Sequence, residues 1–233
     1  MLIRVAADLS RAGGSWNGPV DTKTREFAYV AIPEGSTVHP GLEKPYSKVE
    51  AVLSRFGVQL PDRLRVCNMH LDPDFEHLSY GDVGQRGQQI RDKLQPGDTV
   101  LFYAGLRDVN EAPRLVYAII GLFEVEVIIN AIDIGEQDRD INAHSRRILS
   151  RDSADVIIRG RVGKSGRLKQ CLPIGEYRDR AYRVRSDLLE EWGGLSSKNG
   201  YIQRSVRLPL VLHPTRCLHW LDSQRSILIQ GNN

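Results

Sequence analysis

QPGDTVLFYAGLRDVNEAPRLVYAIIGLFEVEVII, residues 95–129, decides the fold class. QPGD at 95–98 reads as a turn, because Pro fixes φ and Gly tolerates the positive φ that tight turns need. TVLFYAGL at 99–106 is a run of apolar, aromatic and β-branched residues bounded by turn signals, the pattern of a buried strand. After a polar loop, RLVYAIIGLFEVEVII at 114–129 reads as one long strand or as two strands bent at Gly121. At its end Phe123, Val125 and Val127 alternate with Glu124 and Glu126, so one face is buried and the other is wet.

The flanking segments extend this into a mixed α/β fold. Upstream, LIRVAA (2–7) is a short buried strand ending at Asp8, and EFAYVAI (26–32) is a second strand stopped by Pro33. Val49, Val52, Leu53 and Phe56 have helical spacing, with Gly57 as a stop, and QRGQQIRDKL (85–94) reads as a helix despite Gly87. Downstream, NAHSRRILSRD (142–152) predicts a helix capped by Asn142, DVIIRGRV (155–162) a strand, GKSGRL (163–168) a basic turn and CLPI a short strand. DLLEEW (187–192) predicts a helix capped by Asp187 and stopped at Gly193–Gly194. The expected architecture is a partly closed, largely antiparallel sheet with flanking helices; a Rossmann-like sheet opened by LIRVAAD is the alternative. No internal repeat or low-complexity linker interrupts the chain, which predicts one compact domain over 1–233.

Charge is unevenly placed. The net value is +3, but residues 1–141 carry 15 Lys+Arg against 21 Asp+Glu, and residues 142–233 carry 17 against 8. An acidic half holding chemistry and a basic half gripping a phosphate backbone is one reading; a solvated basic face is the other. Cys67, Cys171 and Cys217 are odd in number and widely spaced, which fits buried free thiols better than disulfides or a zinc site. No apolar run is long enough to span a membrane and no signal peptide is visible, so a cytoplasmic protein is expected.

HLDPDFEHLSYGD, residues 70–82, concentrates the candidate chemistry. In an extended loop His70, Asp72, Asp74 and Glu76 share one side. One carboxylate there could activate water and another stabilise a developing cation, as in glycosidic-bond cleavage. The same set could bind Mg²⁺. A zinc site is disfavoured, because His70 and His77 lack a Cys pair and the HExxH spacing. Asp8 ends the first strand beside SRAGGSWNGP, where Gly14, Trp16 and Asn17 suit a loop meeting a ligand; neither a Walker loop nor a dinucleotide fingerprint is present. Asp8, His70, Asp72 and Asp74 are therefore the candidate catalytic groups. Gly14, Trp16, Asn17, Glu76, Tyr80, Gln85, Arg86, Tyr103 and Arg107 are candidate substrate contacts, and Lys164, Arg167 and Arg204 candidate phosphate contacts. No cofactor and no resident metal is expected.

Two resemblances extend this reading. The PGD turn followed by VLFY, a loop and a glycine-containing strand, over roughly 95–128, resembles the core hairpin of PUA-like domains, including the EVE and ASCH families, several of which bind modified or flipped bases. More broadly, AADLSRAGG (6–14), AIPE (31–34), HLDPDF (70–75), GDVGQRGQQI (81–90), PGDTVLFYAGLR (96–107), SGRL (165–168), WGGL (192–195) and YIQRS (201–205) resemble the nucleotide modification associated domain 3 family. That resemblance implies a role in phage and bacterial systems that make, recognise or attack modified DNA bases. The expected activity is DNA glycosylase-like hydrolysis on a base drawn out of the stack, with DNA as partner. A non-catalytic reader of modified bases, a metal-dependent nuclease and a component of a base-modification pathway are the alternatives.

Overall fold

The computed structural model describes residues 1–110, 115–203 and 205–233. The 95–129 stretch forms the centre of its main sheet. Thr99–Asp108 and Leu115–Asn130 run antiparallel, from Thr99 opposite Glu124 to Arg107 opposite Leu115, with an irregularity after Phe102. Leu115–Asn130 is one strand of 16 residues. Its register breaks near Gly121 because Phe75 packs there: a β-carbon on Gly121 would sit 2.4 Å from the Phe75 ring. The strand exchanges partners along its length, pairing with Gly166–Pro173 in its middle and with Val156–Gly160 at its end. Val156–Gly160 pairs in turn with Ser79–Asp82, which curls the sheet and brings the predicted acidic loop to its far edge.

The sheet is mostly antiparallel. Leu2–Arg4 and Pro19–Val20 run parallel to Thr99–Asp108, and they are too short to build the crossover units of a Rossmann-like sheet. Both faces are covered, which explains the near-continuous apolarity of Thr99–Asp108. Ile3, Phe102, Ala104 and Phe123 belong to one core with Tyr29, Phe75 and Tyr80. Leu2, Leu101, Tyr103 and Tyr117 belong to a second core with Trp192 and Trp220. The helix over 85–94 is found at Gly84–Lys93. Cys171 and Cys217 are buried free thiols, and Cys67 is half-buried.

Expected elements shrink where tertiary hydrogen bonds compete, and one helix shifts by a residue. In 26–32, residues 27–31 are buried, yet their backbone partners include Ala7, Pro19 and the Asn233 side chain; only Ile32–Pro33 forms a ladder, with Met69–His70. The helix over 142–152 is reduced to Ala143–Arg146, because the Arg146 carbonyl accepts from His39 and Ile148 N–H donates to Thr37. The helix near 187 is Ser186–Glu191, starting one residue early; Asp187 pairs with Arg185 at 2.5 Å instead of capping. Among the described residues no helix is long and apolar enough to cross a membrane.

Part of the uneven charge is spent on ion pairs between the two halves of the chain. Arg146 meets Asp74, Arg147 meets Glu34, and Arg161 meets Glu124. These arginines hold the basic half to the acidic one.

A candidate active site at the His70–Asp72 turn

The short ladder pairing Ile32 with His70 places Glu34 beside the His70 ring. His70 Nδ1 lies 2.7 Å from Glu34 Oε2, and Arg147 donates to the other oxygen from Nη2 at 2.7 Å and Nε at 3.0 Å. Burial opposes ionisation of Glu34, but the His70 and Arg147 contacts outweigh it and hold the carboxyl at about 2. Glu34 is thus an acceptor. A proton on Nδ1 answers that carboxylate and leaves the lone pair on Nε2, while Arg147 Nη2 also approaches Nδ1, at 3.0 Å. Burial also lowers the pKa of His70, favouring the neutral ring.

His144 repeats the arrangement. Asn142 caps its helix, accepting from His144 N–H at 2.9 Å, while Asn142 N–H donates to Ser145 Oγ at 3.2 Å. His144 Nδ1 bonds the carboxylate of Asp155. Burial opposes ionisation of Asp155, yet His144 and Ser153 lower its pKa, and the Asp155 carboxylate faces Nδ1 as Glu34 faces that of His70. Gly81 makes room for this ring: a β-carbon there would lie 2.4 Å from His144 Cδ2.

Asp72 completes the group. Its Oδ1 accepts from Gly81 N–H at 2.9 Å and from Asn142 Nδ2 at 2.8 Å. Its Oδ2 faces His144 Nε2 at 3.8 Å and His70 Nε2 at 4.0 Å. The two rings stand edge to face with centroids 5.0 Å apart. Burial raises the pKa of Asp72 despite His144, His70 and the two donors. Two imidazole lone pairs and one carboxylate oxygen therefore converge, each ring fixed from behind by a carboxylate.

This group lines a cavity of about 250 Å³ with Arg4, Asp8, Gly13, Tyr80, Asp82, Arg86 and Arg147. Asp8 Oδ1 accepts from Ser10 N–H at 2.8 Å, and Asp8 Oδ2 lies 3.4 Å from Arg4. Gly13 permits this turn, since a β-carbon would collide with Asp8 Oδ1. Tyr80 donates to Asp82 at 2.5 Å, and Arg86 bonds both of them, at 2.8 and 2.7 Å. Ser205 lines the cavity and also a larger groove of about 820 Å³. Lys93, Arg183, Lys198 and Arg207 line that groove with Tyr201 and three glutamines, and among the described residues no carboxylate does.

Five expected site residues thus meet: Asp8, His70, Asp72, Tyr80 and Arg86. Gln85 lines the adjacent groove. Asp74 turns into the interior, where it is 1% exposed and bonds Arg146 at 2.5 Å and Asn232 at 3.1 Å. Glu76 is exposed outside the cavity lining. Gly14 packs by Pro33 with φ +88°, Trp16 rests against the first core, and Asn17 donates to the Gly105 carbonyl at 2.7 Å. Tyr103 lies in the second core, its hydroxyl donating to the Ile202 carbonyl at 2.8 Å. Arg107 is exposed on a strand paired with Pro19. Lys164 pairs with Glu124 at 3.2 Å. Arg167 is buried over the Phe27 ring and donates to backbone carbonyls, so it is a packing residue rather than a surface phosphate contact. Arg204 lies outside the described residues.

Sequence reasoning missed Glu34, His144, Arg147 and Asp155. It weighed His70 with His77 only to disfavour a zinc site, and His77 in fact lies 3.1 Å from Asp74. The available signal was His70-x-Asp72 followed by one further histidine on a capped turn, in a chain with six histidines.

The model of nucleotide modification associated domain 3 matches residues 1–207. The chain belongs to this family. No curated protein and no solved structure matches it. The family domain contains the whole His70–Asp72–His144 group and both supporting carboxylates, which links this chemistry to a domain associated with modified nucleotides. Asn232, which holds Asp74, lies beyond the matched residues.

Proposed function

We propose that this nucleotide modification associated domain 3 protein is an enzyme that hydrolyses the N-glycosidic bond of a modified base in DNA. The observation that carries the reading is the junction at Ser205 between a carboxylate-free basic groove and a small polar cavity. Lys93, Lys198 and Arg207 suit a phosphate backbone. The cavity, at about 250 Å³, is smaller than sites for drug-sized ligands, and its size suits a single extruded base.

Water entering beside His70 or His144 meets an Nε2 lone pair able to accept its proton. The water oxygen bonds to the sugar C1′, the C1′–N bond breaks, and the departing base leaves with a proton. Asp8, one of three aspartates lining the cavity and held by Arg4 at 3.4 Å, is assigned to the developing positive charge on the sugar. The buried His–carboxylate pairs favour chemistry over mere reading. A reader needs open stacking faces, and the rings that line the cavity among the described residues, Tyr80, His70 and His144, are buried and held by Asp82 and Arg86, by Glu34 and by Asp155. A PUA-like character of the sheet belongs to the same proposal, supported by the curling of the 95–129 hairpin onto its neighbours. So does action in the bacterial cytoplasm, in conflict with phage.

Incubation with modified and with plain DNA tests this, followed by mass spectrometry of released bases, an abasic-site assay and a strand-break gel. Free modified base and abasic sites on modified DNA alone are expected. Tight binding with every base intact would convert the protein into a reader. Strand breaks without base release would make it a nuclease.

A further inference from the structure

We infer that His70, Asp72 and His144 hold one divalent transition-metal ion whose remaining coordination positions open into the cavity. The donor atoms lie within 4.8 Å of one another, and among the described residues this is the single such cluster. Metal–ligand bonds of about 2.0–2.2 Å bring neighbouring donors to roughly 3–3.5 Å in a tetrahedral or octahedral site. The observed 3.8 and 4.0 Å separations, and the third within 4.8 Å, therefore need contractions of about half an ångström to somewhat more than one. These are within the reach of side-chain torsions.

Three features point to a metal rather than to packing. Both imidazoles turn Nδ1 to a carboxylate and Nε2 toward Asp72; a carboxylate behind the ring is the arrangement that orients metal-bound histidines. Asp72 spends Oδ1 on two hydrogen bonds and turns Oδ2 to the imidazoles. Three electron-rich atoms facing one another in a buried site repel unless a cation or proton lies between them. Two nitrogens and one oxygen select Zn²⁺, Fe²⁺, Co²⁺ or Mn²⁺ over Mg²⁺ and Ca²⁺, which prefer oxygen-only shells. Three protein donors leave a position for water, as in catalytic rather than structural sites.

The inference rests on and deepens the hydrolase reading: with both Nε2 lone pairs on the metal, its bound water, with a pKa lowered to roughly 7, replaces the imidazole base as the source of the nucleophile near neutral pH. It is tested without DNA, so the two can fail separately. The purified protein is stripped with chelator, titrated with Zn²⁺, Co²⁺, anaerobic Fe²⁺ and Mg²⁺, and measured by calorimetry, elemental analysis and thermal melting. One equivalent of a transition metal, none of Mg²⁺, and a melting point rising with metal concentration are expected. His144→Gln and Asp72→Asn should abolish uptake. Asp155→Asn and Glu34→Gln, which leave all three donors in place, should weaken it about 10- to 100-fold. A folded wild-type protein that takes up none of these ions overturns the inference. So does uptake unchanged in the folded His144→Gln and Asp72→Asn variants. Stoichiometric binding with no base release leaves the metal site standing and removes the proposed reaction. Base release that survives complete stripping, with no metal uptake, does the reverse.

Discussion

Asp72 and Asp74 lie on one turn, and the fold treats them in opposite ways. Asp74 is consumed by structure: Arg146 and His77 reach one of its oxygens, and Asn232 with the Glu76 and His77 N–H groups reaches the other. Burial disfavours its charge, yet His77 and Arg146 outweigh that and pull its carboxyl to about 2. Among the described residues the titratable side chains facing Asp72 are the imidazoles of His144 and His70, at 3.8 and 4.0 Å, and burial pushes its pKa up. The comparison teaches that equal burial of a carboxylate says nothing about use. What separates an anchor from a working group is whether its neighbours cancel its charge.

The largest expected effect lies on the anchor side. Asp74→Asn leaves Arg146, itself 2% exposed, without its full counter-charge. Breaking a buried ion pair on one side costs about 3–5 kcal/mol. At roughly 2–4 °C per kcal/mol for a chain of this size, the melting temperature should fall by about 6–20 °C. Activity per folded molecule should be retained. A variant that melts normally but is inactive would break the comparison and return Asp74 to the site.

Asp72→Asn is the mirror experiment. Asparagine Oδ1 can still accept from Gly81 and Asn142, so the turn should hold its melting temperature within a few degrees. The turnover rate should fall about 100-fold or more, the scale of a lost acid–base or metal-binding group. If Asp72→Asn destabilises as much as Asp74→Asn does while activity survives, Asp72 is an anchor as well.

The two aspartates also show where the sequence was readable. Alternation predicted His70, Asp72, Asp74 and Glu76 on one side, and it held for the first two. It fails at Asp74 because Asp74 and Ser79 exchange both backbone hydrogen bonds, closing the chain into a turn that swings the side chain inward. Long-period features survived translation: Thr99–Asp108 is apolar on both faces because both faces are buried, and Gly84–Lys93 keeps helical spacing. His144 was illegible because its placement depends on the Asn142 cap, which is tied to Asp72 and Ser79 across the sheet edge. The signal for a site made by folding lies in side chains far apart in sequence, where no local period can reach.

Gly81→Ala tests how closely that edge is built. Its new β-carbon would lie 2.4 Å from His144 Cδ2 and 2.7 Å from Asn142 Oδ1, so the His144 turn must shift. Overpacking of this kind costs about 1–3 kcal/mol. Activity should fall with it, because the His144 ring is displaced from Asp72. Ala at position 81 with unchanged activity would mean that the facing of His144 and Asp72 is incidental.

The smallest effect belongs to the groove, where the charges are solvated and each contributes little alone. Lys198→Gln combined with Arg207→Gln removes two cations from its wall without touching the cavity. Each phosphate contact contributes roughly 0.9 to the slope of log affinity against log salt, so the slope for DNA binding should flatten by roughly 2. Melting temperature should stay put, and turnover at saturating DNA should be unchanged. A slope that does not move would separate the groove from the cavity and leave the site to a free nucleotide, which needs the pocket and not the path into it.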